Sequence, residues 1–193
     1  MSKNTKKIQE LYDKIKEWGE KNGIIQNAKA NIQFLKTISE KSEISKAFLE
    51  DDKEEFKDAI GDTFVTIVMV TEIIKKDNNV KLNLSKLNED KNVKTILLNL
   101  THLDVILGEV ADAIAKNQME KAVEFLNESL PYLSNLSLEN GLEFNECVEA
   151  AYNVIKDRTG FLTPDGTFVK STDDNYEEIV NKYSKNKKAK KGE

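Results

Sequence analysis

The sequence predicts an all-α protein, and three observations lead to that prediction. The chain contains only two prolines and eight glycines in 193 residues, so it offers few breaks to helices. Long stretches rich in Leu, Ile, Lys, Glu and Asn place apolar residues at helical spacing, and β-branched runs are few. This length suits one domain with a proper core and is short for two.

The first two predicted helices cover residues 5–21 and about 26–49. An Asn-Gly pair follows the first helix and is a typical helix ending. In the second helix, Phe34, Leu35 and Ile38 give an apolar face distinct from the polar stripe that starts one residue before them.

The third predicted helix is capped by Asp51-Asp52 and continues to about residue 76. Residues 59–70 are nearly all apolar, and Asp62 is the only charged residue among them. A helix that is apolar all round is usually buried, and a carboxylate there is costly to desolvate unless it is paired or binds a metal. Asp62 is therefore the first candidate for a functional residue.

The rest of the chain continues the helical pattern. Residues 77–91 are polar and predict a loop that can hold a short turn of helix. Further helices are expected over residues 93–116, over 118–134 with Pro131 bending or shortening the helix, and over 142–158. A hairpin or tight turn is expected at Pro164-Asp165-Gly166, a short helix near 173–183, and disorder in the lysine-rich residues 185–193.

Composition narrows the class of protein. A net charge of -5 gives no reason to expect nucleic acid as the main partner. A single cysteine, Cys147, excludes an intramolecular disulfide and cannot build a zinc site. The sequence has neither an apolar stretch of the ~18 residues that cross a bilayer nor the apolar core of a signal peptide. We therefore expect a soluble, cytoplasmic protein without membrane association.

Two pairs of acids lie at helical spacing on successive predicted helices. On the second helix, Glu40 and Glu43 are three residues apart, and Gln33 and Lys36 extend the same stripe. Acids at this spacing also arise by chance, because 33% of the chain is charged, and the alternative is a solvated helix face.

On the third helix, Asp58 and Asp62 are four residues apart, with Glu55 one turn earlier. If the two helices turn their acids toward each other, they offer hard oxygen ligands without His or Cys. Such ligands favour Mg²⁺, or Mn²⁺, over zinc.

These motifs resemble those of the MazG-like, all-α nucleoside triphosphate pyrophosphohydrolases, whose relatives include the dimeric all-α dUTPases. Residues 36–43 resemble the family pattern EExxE, and residues 58–65 resemble the ExxD that follows. WGEKNG, which contains Trp18, resembles the lead-in to the domain. The segment ECVEAAYNVIKDRTGFLTPDGTFVK is similar to the end of MazG-like proteins often carried by phages. The resemblance covers about residues 10–172, which implies one such domain over 1–172 and a short helix with a basic tail over 173–193.

The resemblance implies Mg²⁺-dependent cleavage of a nucleoside triphosphate to the monophosphate and pyrophosphate, by a homodimer or homotetramer. The implied metal ligands are Glu40, Glu43, Asp58 and Asp62. Catalysis is assigned to Glu40, Glu43 and Lys36. The implied substrate-binding residues are Gln33, Lys36, Asn153, Lys156 and Arg158.

Some alternatives stay open at this point. Ser39 replaces the first acid of EExxE, and Ala59 replaces the acid of ExxD. Either Asp58 or Glu55 could then complete the metal site. A dUTPase, or a catalytically weak helical module that binds a nucleotide or a protein, is the alternative function.

Overall fold

The all-α prediction is confirmed. The structure, a computed structural model, describes residues 3–89, 91 and 94–189, and within them helices alternate with short connections and one two-stranded antiparallel sheet. The α-helices are α1 (Lys3–Lys21), α2 (Ile24–Asn27), α3 (Ala30–Glu50), α4 (Lys53–Lys75), α5 (Ile96–Ala115), α6 (Met119–Glu139), α7 (Phe144–Ile155) and α8 (Tyr176–Ala189). A 3-10 helix covers Leu84–Asn88, and the strands are β1 (Gly160–Leu162) and β2 (Phe168–Lys170).

Helix α4 is the centre of the core. It packs along α3 on one side and against α7 on another, and it also contacts α1 and α6. Residues 59–74 are all buried except Asp62, which is half-buried. The prediction that the apolar run 59–70 is buried is therefore confirmed, and its one charged residue lies at the edge of the core.

A glycine allows α4 and α7 to approach closely. A Cβ atom on Gly61 would lie 2.3 Å from the carbonyl oxygen of Cys147 and 2.7 Å from the Cβ of Ala151. No larger residue fits there without moving one helix, because neither obstacle is the flexible end of a side chain. Since Asp62 follows Gly61, this contact also sets the distance between Asp62 and the end of α7.

A buried carboxylate on α4 binds side chains of α1. Glu72 is 4% exposed and accepts a hydrogen bond from the Tyr12 hydroxyl. The ammonium of Lys75 lies 3.0 Å from Glu72, and that of Lys16 lies 3.9 Å from it. Burial, together with the Glu72 carboxylate, raises the pKa of Tyr12 well above its ordinary value. The hydroxyl therefore keeps the proton that it donates.

The predicted second helix is wrong at its start. The structure has a short helix, α2, and then a break, because Ala28 is extended with ψ of 161°. The turn at Gly166 packs here, since a Cβ atom on Gly166 would lie 3.2 Å from the Lys29 backbone nitrogen. A continuous helix would leave no place for this turn.

The predicted apolar face of this helix is also partly wrong. Phe34 is buried, but Leu35 is 64% exposed and Ile38 is 39% exposed. The buried face of α3 consists of Phe34, Thr37, Lys41, Ile44 and Ala47. Lys41 is buried and forms an ion pair with Asp104 of α5, which accounts for a charged residue on that face.

Two predictions in the second half need correction. Pro131 lies inside α6 and does not shorten it, because the helix continues to Glu139. Helix α8 extends to Ala189, beyond the expected 183 and into the stretch predicted to be disordered, of which residues 190–193 lie outside the described part. The Asp52 cap, the turn of helix in 77–91 and the hairpin are confirmed. Among the helices described, none is both long and apolar enough to cross a membrane.

The close approach at Gly61 yields a stability prediction. We expect Gly61→Ala to lower the free energy of unfolding by roughly 1–3 kcal/mol, because the added methyl forces α4 and α7 apart. Gly108→Ala is the matched control, since Gly108 is an exposed residue of α5 with no atom within 4 Å of its added Cβ. There the same change should raise stability by about 0.5–1 kcal/mol through helix propensity. Urea unfolding followed by circular dichroism measures both, and equal shifts in the two variants would refute the packing argument.

Candidate active site

The predicted acids lie on two helices that form a tight hairpin. Helices α3 and α4 are joined by Asp51 and Asp52 alone. Asp51 adopts a left-handed conformation with φ of 55°, and the side chain of Asp52 accepts a hydrogen bond from the Glu55 backbone N–H. Helices joined by so short a connection run antiparallel, so the C-terminal turns of α3 face the N-terminal turns of α4. This geometry brings the two acid pairs together.

Glu40 carries the clearest sign of that convergence. Burial, together with the charges of Asp62 and Glu43, raises the pKa of Glu40 from its ordinary 4.5 to about 7. Glu40 and Glu43 also share a side-chain hydrogen bond, which requires a proton on one of them. The charge of Lys36 acts in the opposite direction but does not cancel these effects.

Asp62 shows the same behaviour from the other helix. Burial, together with the charges of Asp58 and Glu43, raises its pKa from 3.8 to about 6. The charges of Arg158 and Lys170 lower it. The four predicted acids therefore share one electrostatic environment with an excess of negative charge.

Burial distinguishes the residues near the two acid pairs. Ala59 is 2% exposed and faces the core, so an acid at that position would be buried without a partner. Asp58 is exposed, and its charge acts on Asp62. Glu55 is exposed in the first turn of α4, where an acid suits the positive helix end. Of the two candidates, Asp58 is the one that the structure joins to Asp62. Ser39 is exposed beside Glu40.

Cations act on this acidic cluster from α3 itself and from two other parts of the chain. Lys36 lies one turn before Glu40 on α3, and Arg158 follows α7. Lys170, at the end of β2, was not predicted from the sequence. The sequence nevertheless contains a signal for Lys170. This residue stands at one end of the predicted hairpin, and Arg158 stands next to the other end.

The remaining predicted substrate-binding residues are less closely tied to the acids. Gln33 is half-buried on α3, one turn before Lys36. Asn153 and Lys156 are exposed at the end of α7, where the Lys156 ammonium donates a hydrogen bond to Asn153 Oδ1 at 3.2 Å. None of the described contacts joins Gln33, Asn153 or Lys156 to the four acids.

The acids are near one another without forming a finished metal site. Within residues 3–89, 91 and 94–189, no three His, Cys, Asp or Glu side chains are arranged closely enough to hold a metal ion as they stand. The donor set is nevertheless of the kind that Mg²⁺ and Mn²⁺ take, because it consists of carboxylate oxygens alone. Its excess negative charge, seen in the two raised pKa values, is what a divalent cation would neutralise.

Two open clefts among the described residues lie elsewhere. One of about 480 Å³ is lined by residues of α1, α6, α7 and the 3-10 helix. Another of about 720 Å³ lies between the start of α3 and the ends of α4 and α5. The acidic cluster is lined by other residues and lies at a surface between helices. The acidic cluster is the candidate site because of its carboxylates and neighbouring cations, and not because it forms a cleft.

Comparison with known proteins gives one partial likeness. The chain is 29% identical over 80 residues to an uncharacterised 18.2 kDa protein from the rep–hol intergenic region of Haemophilus phage HP1. The match covers 42% of this chain and 47% of the phage protein, so it extends over about half of that relative. No protein-family model and no solved structure matches the chain.

The raised pKa values predict how stability depends on pH. The folded protein holds a proton on Glu40 up to about pH 7, whereas the unfolded chain releases it near 4.5. Folding therefore takes up protons between these values, so the free energy of unfolding should fall as the pH rises from 4.5 to 7. Asp62 contributes in the same direction between 3.8 and about 6.

Urea unfolding across this pH range in EDTA tests the prediction. Glu40→Gln should show a smaller fall and should be more stable than the wild type above pH 7, because it removes one of the repelling charges. Glu50→Gln, an exposed change at the end of the same helix, should follow the wild-type curve. Parallel curves for wild type and Glu40→Gln would contradict the shared proton.

Proposed function

We propose that this protein is a MazG-like, Mg²⁺-dependent nucleoside triphosphate pyrophosphohydrolase that releases the monophosphate and pyrophosphate. The observation that carries the proposal is the meeting of Glu40, Glu43, Asp58 and Asp62 from two antiparallel helices, where burial and the neighbouring acids raise the pKa values of Glu40 and Asp62. Perturbed carboxylates clustered with cations are typical of functional sites. The partial likeness to a phage protein agrees with the phage-type end of the sequence.

The four acids would hold Mg²⁺, with Mn²⁺ as the natural substitute. When bound, the metal neutralises charge on the phosphates and makes a coordinated water more acidic. The second acid of each pair belongs to the same stripe as the first, so both helices contribute two carboxylates. This arrangement explains why α3 and α4 bear acids where they face each other at the edge of the core.

Glu40 is the best candidate for the general base. A carboxylate beside the metal can take a proton from a water that the metal has made more acidic. The water would attack a phosphorus atom, and the bond to the bridging oxygen between the α and β phosphates would break. Glu43 shares the Glu40 proton in the resting protein and so sets its availability.

The cations would bind the phosphates. The Arg158 guanidinium can bind a phosphate through two parallel hydrogen bonds, and Lys36 offers a point charge beside Glu40. Gln33, one turn before Lys36 on α3, and Asn153 and Lys156, at the end of α7, would contact the rest of the nucleotide. Free nucleotides are the expected substrates, so we expect the protein to act in the cytoplasm.

Activity measurements test the proposal directly. With Mg²⁺, the purified protein should release pyrophosphate from at least one standard or modified triphosphate, and EDTA should abolish the release. Glu40→Gln and Asp62→Asn should each lower kcat about a hundredfold or more, because they remove a candidate base and a metal ligand. Glu50→Gln should leave kcat unchanged.

The substrate panel also separates the alternatives. Cleavage confined to dUTP would identify a dUTPase. Binding of triphosphates without turnover of any of them would reject the enzyme and leave a nucleotide-binding module. The Ser39 and Ala59 departures would then account for the absence of catalysis.

Self-association through α3 and α5 is a further part of the proposal. These helices lie side by side, joined by the Lys41–Asp104 ion pair. They leave large apolar side chains exposed, among them Leu35 and Leu97 at 64% and Val105 at 62%. Exposed apolar groups concentrated on neighbouring helices often mark a protein interface. The resemblance implies a homodimer or a homotetramer.

Sedimentation velocity tests this association. The wild type should sediment as a dimer or tetramer, and Val105→Glu should shift it toward the monomer because the new charge would be buried in the interface. Val154→Glu is the matched control, since Val154 is 56% exposed on α7, outside the proposed surface. A monomeric wild type would refute self-association.

A further inference from the structure

We infer that Lys170 is a second phosphate-binding residue of the site and that, with Arg158, it binds the pyrophosphate part of the substrate. This inference rests on the proposed function and extends it to the β1–β2 hairpin, a part of the chain that carries none of the residues assigned from the motifs.

The hairpin register brings the two cations to one place. Gly160 pairs with Lys170 across the sheet, and the Ser171 backbone N–H donates to the Thr159 carbonyl at 2.9 Å. Lys170 is thereby held opposite a residue only two positions after Arg158. Residues directly opposite in an antiparallel pair lie ~5 Å apart, so both side chains start from the base of the hairpin.

The base of the hairpin is anchored to α1. The Trp18 indole N–H donates to the Arg158 carbonyl at 3.1 Å, and the Trp18 ring makes an edge contact with Phe168 at 6.0 Å between ring centres. Gly160 has no room for a side chain, because a Cβ atom would lie 2.3 Å from the Val169 carbonyl oxygen. The two cations therefore project from a fixed support, and long side chains on rigid supports bind with less loss of entropy.

Helix packing and strand pairing relate both cations to Asp62. Arg158 follows α7, which contacts α4 at Gly61, the residue before Asp62. The pairing of Gly160 with Lys170 returns Lys170 to the same end of the hairpin. Within the described part of the chain, no direct salt bridge holds either side chain. Carboxylates on one element and cations on another suit an anion that binds a metal on one side and ammonium or guanidinium groups on the other.

Pyrophosphate suits these two cations better than the nucleoside does. It is the most highly charged part of the substrate, and its charge grows as the bond to the α phosphate breaks. A lysine and an arginine on neighbouring strands offer separate contacts to two phosphate groups.

Two measurements on the full chain test the inference, with Lys170→Gln as the main variant. Lys81→Gln is the control, because it makes the same charge change at an exposed loop residue. Inorganic pyrophosphate with Mg²⁺ is titrated into each protein by calorimetry, and kcat/KM is measured for the triphosphate that the wild type cleaves best. Lys170→Gln should weaken pyrophosphate binding and lower kcat/KM by about ten- to a hundredfold each, as expected for the loss of a charge-assisted hydrogen bond. Lys170→Arg should restore most of both.

The outcomes separate this inference from the proposed function. If the wild type binds pyrophosphate but cleaves nothing, the enzymatic proposal fails, and weaker binding by Lys170→Gln alone would still support Lys170. If Lys170→Gln binds pyrophosphate as the wild type does, or if the wild type does not bind it, the inference is overturned. An equal loss of pyrophosphate binding in Lys81→Gln would show that the effect comes from net charge alone, and this result would also overturn the inference.

Discussion

The packing of α3 along α4 holds four carboxylates closer together than their charges favour. The apolar faces of α4 are covered by α3, α7, α1 and α6, so the helix cannot turn to move Asp62 away from Glu40. Apolar burial along the rest of α4 outweighs the repulsion at this one edge. A bound cation would relieve such repulsion.

The cationic side of the site depends on a second constraint, the close approach of α4 and α7 at Gly61. A glycine inside a helix costs about 0.5–1 kcal/mol relative to alanine, so its presence needs a structural reason. Here the reason is the Cys147 carbonyl, which leaves no room for a Cβ atom. The end of α7 and the hairpin after it then lie near Asp62, and Arg158 and Lys170 act on it. One short contact between helices thus relates the acids to the cations.

The sequence predicted the parts of the site that local pattern controls. Asp62 could be singled out because a lone charge in an apolar run is visible without any knowledge of neighbours. The choice between Asp58 and Glu55, in contrast, depends on which side of α4 faces the core, and Ala59 answers it only once its burial is known. Leu35 and Ile38 were misassigned for the same reason, because periodicity identifies an apolar face but not the partner that covers it.

Lys170 shows the limit of sequence reasoning most clearly. It is twelve residues from Arg158 along the chain, and only strand pairing returns it to the same place. The candidate site combines two acid pairs with cations that follow α7 and end the hairpin. A catalytic role for these groups requires first that the acids bind a divalent cation together.

Electron paramagnetic resonance of Mn²⁺ titrated into the protein near pH 7.5 tests that requirement most directly. The account predicts bound Mn²⁺ in the wild type, competition by Mg²⁺, and loss of this binding in the double variant Glu40→Gln, Asp62→Asn. Equal Mn²⁺ binding by the wild type and the double variant, or none by either, would contradict it.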